Sequence, residues 1–313
     1  MTESVSATRV ALPRKGLIAA AFTPMNSDGT VNLRVVGAVV DHLAETGIAG
    51  IYVCGTTGEG QALTVAERRL VAQAFVDASG GRLPIIVHVG HNSLLEAREL
   101  ADHAQEVGAD AISAMLPWHM TLGDAESAVE CLALVAGGAP NLPFVFYHMP
   151  SNNPIDVVEL AQGILDAVPS AAAVKFTDSR THLLQSFLDI TQGRIGVFFG
   201  VDEMLASGLT AGASAAIGST YNFAAPLNHQ IMDSVRSGDL DMARAKQARA
   251  VRLIRAILSH GGLAAQKEVM AIIGIDCGPT RLPHTPLTRK QSRELRSSLE
   301  DMGFPERIAR NTK

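Results

Sequence analysis

The chain carries little charge, and neither sign of charge forms a block. Only 18% of its 313 residues are charged, 4% are aromatic, and the formal net charge is -5. The sequence has no cluster of basic residues that could bind phosphate groups, which argues against nucleic-acid binding. Apolar runs are frequent but short, and none approaches the roughly 18 residues of a membrane-spanning helix. We therefore expect neither a nucleic-acid partner nor a membrane.

Cysteine is also scarce. Cys54, Cys131 and Cys277 are odd in number and irregularly spaced. Free thiols in a reducing compartment explain such a set better than a disulfide framework does. Residues 17–21 superficially imitate the apolar part of a signal peptide, but this run is short and leads into a polar turn. We predict a cytoplasmic protein.

Short apolar runs rich in valine, isoleucine, alanine and phenylalanine recur along the chain. Segments of helical period separate them, and capping boxes such as Thr64 with Glu67 mark helix starts. Eight strands are predicted at residues 16–22, 47–54, 84–89, 109–116, 143–148, 171–176, 195–199 and 213–218. Continuous apolar strands that alternate with helices indicate a parallel sheet covered by helices. Eight such units by about residue 225 predict the α/β class and a (β/α)8 TIM barrel.

An open, doubly wound sheet is the structural alternative. It usually has fewer strands and a glycine-rich phosphate turn after its first strand, and this chain lacks that turn. Beyond residue 225 the pattern predicts helices at 240–261 and 263–275 and a final amphipathic helix. We predict that residues 1–224 form the barrel and that residues 225–313 form a C-terminal helical extension packed on it, in a single structural unit.

Lys175 stands out because it is a single cation at the end of the apolar run 171–176. A half-buried strand disfavours an ammonium group and favours the neutral, nucleophilic amine that forms Schiff bases. Alternatively, a strand-end lysine extends its apolar stem and places the charge in water. The other lysines lie in polar or charged helical segments, where solvated head groups are expected. They are Lys15, Lys246, Lys267, Lys290 and Lys313.

Further polar candidates follow the carboxyl ends of predicted strands, where TIM barrels build their sites. Thr56 and Thr57 lie in a glycine-rich turn that can hold a carboxylate, and Tyr147 ends the fifth strand. The ends of strands six to eight supply Thr177, Gly200, Asp202, Glu203 and Ser219. Each has a structural alternative, such as a core aromatic for Tyr147 or a helix start for an acidic pair. Their joint placement at one end of the strands favours a site.

These motifs resemble the N-acetylneuraminate lyase and dihydrodipicolinate synthase superfamily of pyruvate-dependent class I aldolases. The resemblance rests on Ala-Ala-Phe-Thr-Pro at 20–24, Gly-Thr-Thr-Gly-Glu-Gly at 55–60, Tyr-His-Met-Pro at 147–150 and Val-Lys-Phe-Thr at 174–177. Residues 199–209 and 218–222 are similar to the sialic acid lyases in particular. The resemblance covers nearly the whole chain and implies a homotetramer.

The resemblance also implies roles for the candidate residues. Lys175 would form an imine with the C2 ketone of pyruvate, Tyr147 would move protons, and Thr56 and Thr57 would hold the pyruvate carboxylate. Thr177 would orient the substrate near the tyrosine. Residues implied to bind the polyol and sugar portion are Gly200, Asp202, Glu203 and Ser219. Neither a metal nor a cofactor is needed, because the imine itself is the electron sink.

Departures from the family pattern leave the substrate open. Ser-Asn-Asn-Pro at 151–154 replaces an apolar, glycine-containing stretch of the sialic acid lyases, and Trp118 with His119 replaces their aromatic pair. The absence of arginine between Pro150 and Arg180, and of a tyrosine after strand four, argues against dihydrodipicolinate synthase. An aldolase or dehydratase acting on another 2-keto-3-deoxy sugar acid stays open.

Two further alternatives differ in kind. A metal-dependent aldolase would need ligands, and His88 and His91 are the nearest candidates. Residues three apart on a strand point to opposite faces, which argues against a shared metal. A barrel that binds pyruvate or sugar acids as a regulator is the non-enzymatic alternative. The presence of both the amine of Lys175 and the phenol of Tyr147 makes it less attractive.

Overall fold

The strands close into a parallel barrel. The structure, a computed structural model, describes residues 12–118, 120, 122–150 and 155–304. Each strand pairs with the next in chain order, and β1 also pairs with β8. The strands are β1 (Gly16–Ala20), β2 (Gly50–Val53), β3 (Ile85–His88), β4 (Ala111–Ala114), β5 (Phe144–His148), β6 (Ala171–Phe176), β7 (Gly196–Phe199) and β8 (Ala215–Gly218). The predicted (β/α)8 barrel is confirmed, and the open sheet is wrong.

Helices surround the barrel and begin where the sequence supplies caps. Thr64 and Asp156 each form a capping box, with Glu67 and Glu159 respectively, which satisfies backbone N–H groups at the first turn. The helices that follow successive strands are α1 (Val36–Glu45), α2 (Val65–Ser79), α3 (Leu94–Glu106), α4 (Ala125–Ala136), α5 (Val157–Ala167), α6 (Thr181–Thr191), α7 (Leu205–Thr210) and α8 (Tyr221–Ser237).

Strand parity decides which side chains face the inside of the barrel. On β6, Val174 and Phe176 pack outward in the core between strands and helices, whereas Ala173 faces the interior cluster. Lys175 has the same parity as Ala173 and pairs in register with Tyr147 of β5, which also faces inward. The barrel geometry therefore brings the amine and the phenol together inside one end of the barrel.

The C-terminal helices are α9 (Leu240–Leu258), α10 (Gly262–Ile272) and α11 (Arg289–Asp301), close to the predicted positions. Helix α9 packs on α8 and on the turn that begins at Asp202. The predicted boundary at 224/225 coincides with a kink at Ala224, but α8 continues across it, so the eighth barrel helix extends into the segment assigned to the extension. Within the described residues, no helix is both long enough and apolar enough to span a bilayer.

Candidate active site

Eight of the nine predicted site residues line one cavity of about 240 Å³ at the carboxyl ends of the strands. They are Thr56, Thr57, Tyr147, Lys175, Gly200, Asp202, Glu203 and Ser219. Thr177 is not among the lining residues. Its buried Oγ1 lies against Gly200, where a Cβ atom would collide with it, and has no hydrogen-bond partner in the described part of the chain.

Lys175 lies between two aromatic rings. Its Nζ is 3.8 Å from the ring centroid of Tyr147 and 4.5 Å from that of Tyr52, and the side chain is only 5% exposed. The alternative of a head group extended into bulk water is therefore wrong. No carboxylate of the described residues forms an ion pair with Lys175, and the faces of both rings lie within cation–π distance of its Nζ.

Tyr52 and His88 pack against the aromatic surroundings of the amine; the sequence did not single out Tyr52, and it offered His88 only as a metal-ligand candidate. Tyr52 and Ser113 share a hydrogen bond of 3.0 Å between their hydroxyls, and the rings of His88 and Tyr147 meet edge to face at 5.9 Å. Burial raises the pKa of Tyr52 well above its usual value, so its phenol stays protonated. The sequence did contain a signal for Tyr52, because its polar hydroxyl interrupts an apolar strand, as the amine of Lys175 does.

Burial holds His88 neutral, and His91 makes a separate contact with the backbone. Burial lowers the pKa of His88 well below its usual value, and the positive charges of Arg68 and Lys175 add to the effect. His91 Nδ1 instead accepts a hydrogen bond of 3.0 Å from the N–H of Ser93. No group of three or more His, Cys, Asp or Glu residues suited to a metal occurs where the chain is described.

The turn that carries Thr56 and Thr57 is stabilised by a hydrogen bond within its backbone and by the side chain of Thr23. The N–H of Glu59 donates to the carbonyl of Thr56 at 3.1 Å, and Glu59 adopts a left-handed φ of 54°. Thr23 Oγ1 donates to the carbonyl of Gly58 at 2.6 Å. Left-handed backbone is uncommon outside glycine and persists where surrounding contacts enforce it. The turn is therefore held in a single shape.

A buried ion pair anchors this turn to the C-terminal helices. Lys267 Nζ of α10 lies 2.7 Å from Glu59 Oε1, and both side chains are almost completely buried. Lys267 also donates to the carbonyl of Pro279 at 2.9 Å, and the N–H of Arg281 donates to Glu59 Oε2 at 2.7 Å. Burial lowers the pKa of Lys267, while the charge of Glu59 opposes that shift. The expectation of a solvated Lys267 is wrong, because helical periodicity does not reveal such a distant partner.

Asp202 is buried at the start of the turn after β7. Its Oδ2 accepts hydrogen bonds from the N–H and the hydroxyl of Thr220, at 2.9 and 2.6 Å. Burial raises the pKa of Asp202 to about 6, although these hydrogen bonds oppose the shift. Asp202 and Glu203 also open a 3-10 helix, Asp202–Met204. The pair therefore both starts a helical turn and lines the cavity.

The departures from the family pattern are only partly described. Trp118 packs against the interior cluster, and its backbone N–H donates to Asn92 Oδ1 at 2.9 Å. His119 and residues 151–154 lie outside the described residues. The substrate preference that these positions were expected to alter stays a prediction.

Fold and site together define a class of protein. The sequence profile of the Dihydrodipicolinate synthetase family matches residues 13–302. The chain belongs to this family, and the resemblance drawn from its motifs is confirmed.

Within the family, the chain is similar to N-acetylneuraminate lyases. It is 40% identical to the N-acetylneuraminate lyase of Homo sapiens, a match that covers 93% of each chain. It is 38% identical to that of Mus musculus, over 94% of this chain and 95% of the relative. The solved Proteus mirabilis N-acetylneuraminate lyase superposes with a TM-score of 0.89 at 36% identity, over 93% of this chain and 99% of that one.

Proposed function

We propose that this protein is a class I aldolase that cleaves N-acetylneuraminate to pyruvate and N-acetylmannosamine through an imine on Lys175. The observation that carries the proposal is the Lys175 amine, enclosed by the rings of Tyr147 and Tyr52 in a cavity that Thr56 and Thr57 also line. Similarity to N-acetylneuraminate lyases over more than nine-tenths of the chain supports the substrate.

In the proposed reaction, the Lys175 amine attacks the C2 ketone, and water leaves as the imine forms. Tyr147 accepts the proton of the C4 hydroxyl while the C3–C4 bond breaks, and the bonding electrons move into the protonated imine to give an enamine. The aldehyde leaves, C3 takes up a proton, and water releases pyruvate. Thr56 and Thr57 hold the carboxylate so that C2 faces the amine.

The rest of the substrate would contact the turns after β7 and β8. Asp202, Glu203 and Ser219 supply acceptors and a hydroxyl suited to a polyol chain, and Gly200 leaves room beside them. Thr177 lies behind Gly200, and its buried Oγ1 has no partner among the described residues; we assign it the role of orienting the substrate near the tyrosine. Such a polar pocket discriminates against substrates that lack hydroxyls, because its buried groups would be left unpaired.

The alternatives differ in what they need from the cavity. Dihydrodipicolinate synthase chemistry would need a cation for a second substrate carboxylate, and the described residues that line the cavity include Asp202 and Glu203 but no arginine. Another 2-keto-3-deoxy sugar acid would fit the same imine chemistry. A regulator would need no nucleophile.

Reduction with borohydride in the presence of pyruvate tests the proposal. We expect a covalent adduct that peptide mapping places on Lys175, and none in Lys175→Arg, because a guanidinium stays protonated. Absence of an adduct in the unmodified protein would overturn the imine mechanism. Comparing kcat/KM for N-acetylneuraminate, for shorter 2-keto-3-deoxy sugar acids, and for condensation of pyruvate with aspartate semialdehyde then tests the substrate. Preference for either competitor would overturn the substrate assignment alone.

We further propose a homotetramer in the cytoplasm that works without metal or cofactor. Free Cys54, Cys131 and Cys277 support a reducing compartment. Sedimentation of the purified protein tests the tetramer, and full activity after dialysis against a chelator tests independence from metal.

A further inference from the structure

One wall of the cavity contains an amide with no assigned role. Gln266 lies on α10 and lines the cavity together with the proposed catalytic residues. Its Oε1 is buried and has no hydrogen-bond partner among the described residues. A buried polar atom without a partner is unfavourable, and such atoms are uncommon in folded proteins. The amide is therefore suited to a ligand that brings its own hydrogen-bonding group.

The surface around this amide is aliphatic. Ile254 and Leu258 of α9 line the same cavity and lie four residues apart, on one face of their helix. Ile254 is 5% exposed, whereas Leu258 is 43% exposed, so the apolar surface runs from the cavity interior to its mouth. This wall thus offers one amide bordered by two branched aliphatic side chains.

The wall is held firmly against the rest of the site. Lys267, the next residue on α10, makes the buried ion pair with Glu59 at 2.7 Å, and Glu59 closes the turn of Thr56 and Thr57. Consecutive helical residues point in directions about 100° apart, so Lys267 can bind Glu59 while Gln266 faces the cavity. A fixed wall loses little entropy when a ligand binds.

We propose that Gln266, Ile254 and Leu258 form a subsite for the acetamido group of the substrate, with Gln266 as the specificity-determining residue. The inference rests on the proposed function, which assigns the keto-acid end to Lys175 and its turn and the polyol to the Asp202 side. The acetamido group is the remaining polar substituent, and it carries an N–H, a carbonyl and a methyl.

The chemistry of the wall matches these three parts. The Gln266 amide can accept a hydrogen bond from the acetamido N–H through Oε1 and donate one to the acetamido carbonyl through Nε2. The methyl would pack on Ile254 and Leu258, which removes apolar surface from water. A hydroxyl at the same substrate position has no methyl group to cover the apolar surface. It also cannot satisfy both the acceptor and the donor of the Gln266 amide.

The test is the ratio of kcat/KM for N-acetylneuraminate to that for its analogue with a hydroxyl in place of the acetamido group. Gln266→Met keeps the volume but removes the amide, and we expect the ratio to fall about 5- to 150-fold. Gln162→Met, on the exposed face of α5, is the matched control and should leave the ratio unchanged. Trapping of pyruvate by borohydride should be unaffected in both variants.

An unchanged ratio in Gln266→Met, or equal losses for the two substrates, would overturn the subsite. If that variant does not fold, Gln266→Ala serves the same comparison, because alanine favours the helix in which residue 266 lies. We expect the same fall in the kcat/KM ratio. Failure of the unmodified protein to trap pyruvate would instead overturn the proposed function. Normal trapping and cleavage with no preference for the acetamido substrate would overturn the subsite alone.

Discussion

The floor of the cavity and its rim are built in different ways. The floor consists of the inward-facing strand residues Tyr147 and Lys175, against which Tyr52 and His88 pack. The rim consists of Asp202, Glu203, Ser219 and Gln266, which lie after β7 and β8 and on α10. Strand parity alone places the floor, because neighbouring strands of a closed barrel hold their inward residues in register. The rim depends on contacts between segments far apart in the chain, such as the bond of Gln247 Nε2 to the carbonyl of Asp202.

The two regions also differ in charge. The floor holds one amine among neutral rings, and the rim holds two carboxylates, one of them with a pKa raised to about 6 by burial. The floor therefore suits a covalent step that is common to a family, whereas the rim suits recognition that varies with the substrate. Variants that alter one region and leave the other intact test this contrast.

The largest effect is expected on the floor, at Tyr147. Tyr147→Phe keeps the ring beside Lys175 but removes the proposed proton-transfer group, so kcat should fall by about 10²–10⁴-fold while pyruvate is still trapped by borohydride. Tyr52→Phe is the matched control, because it also loses one hydroxyl and keeps its ring, and we expect a loss of less than about 10-fold from its Ser113 hydrogen bond. Full turnover by Tyr147→Phe would assign proton transfer to another group.

The link between the two regions is expected to give the next effect. Glu59→Gln leaves Lys267 buried without a counter-charge, so the free energy of unfolding should fall by about 3–5 kcal/mol in urea titrations. Glu99→Gln is the control, because its ion pair with Arg69 is largely exposed and should change stability by less than about 1 kcal/mol. Equal effects would show that the buried pair does not anchor the turn.

The smallest effect concerns the rim and depends on pH. Asp202 has a folded-state pKa of about 6 against an unfolded value of 3.8, so the folded state holds its proton more tightly. Its contribution to stability is complete below about pH 4 and is lost as the pH rises through 6, a change on the order of 3 kcal/mol. Asp202→Asn should flatten the Tm profile between these pH values. A profile as steep as that of the unmodified protein would contradict the assignment.

The pKa of Glu67 is shifted in the opposite direction from that of Asp202. Its hydrogen bonds with Arg281 lower its pKa from 4.5 to about 2, so its contribution to stability is present above pH 4.5 and is lost as the pH falls towards 2. Glu67→Gln should therefore reduce Tm at neutral pH and leave the slope between pH 4 and 6 intact.

Local sequence patterns predicted the barrel because each strand and helix shows its own period. They also identified Lys175, since a cation at the end of an apolar strand is a local anomaly. The patterns misjudged Lys267, whose helix shows an ordinary mixture of polar and apolar residues while its partner Glu59 lies on the other side of the fold. Gln266 was missed for the same reason. Thr177 was identified, but only the packed structure places it behind Gly200.

The ion pair between Glu59 and Lys267 also bears on the order in which the protein is made. Strands β1 to β8 emerge from the ribosome before α10, and domains begin to fold as they are synthesised. A nascent barrel can align Lys175 with Tyr147, but the turn of Thr56 and Thr57 has only its local hydrogen bonds until α10 has been translated and Lys267 pairs with Glu59. The last part of the site to form is therefore the part proposed to orient the substrate, so a partly synthesised chain would carry the Lys175 amine before the turn proposed to hold a keto acid is fully anchored.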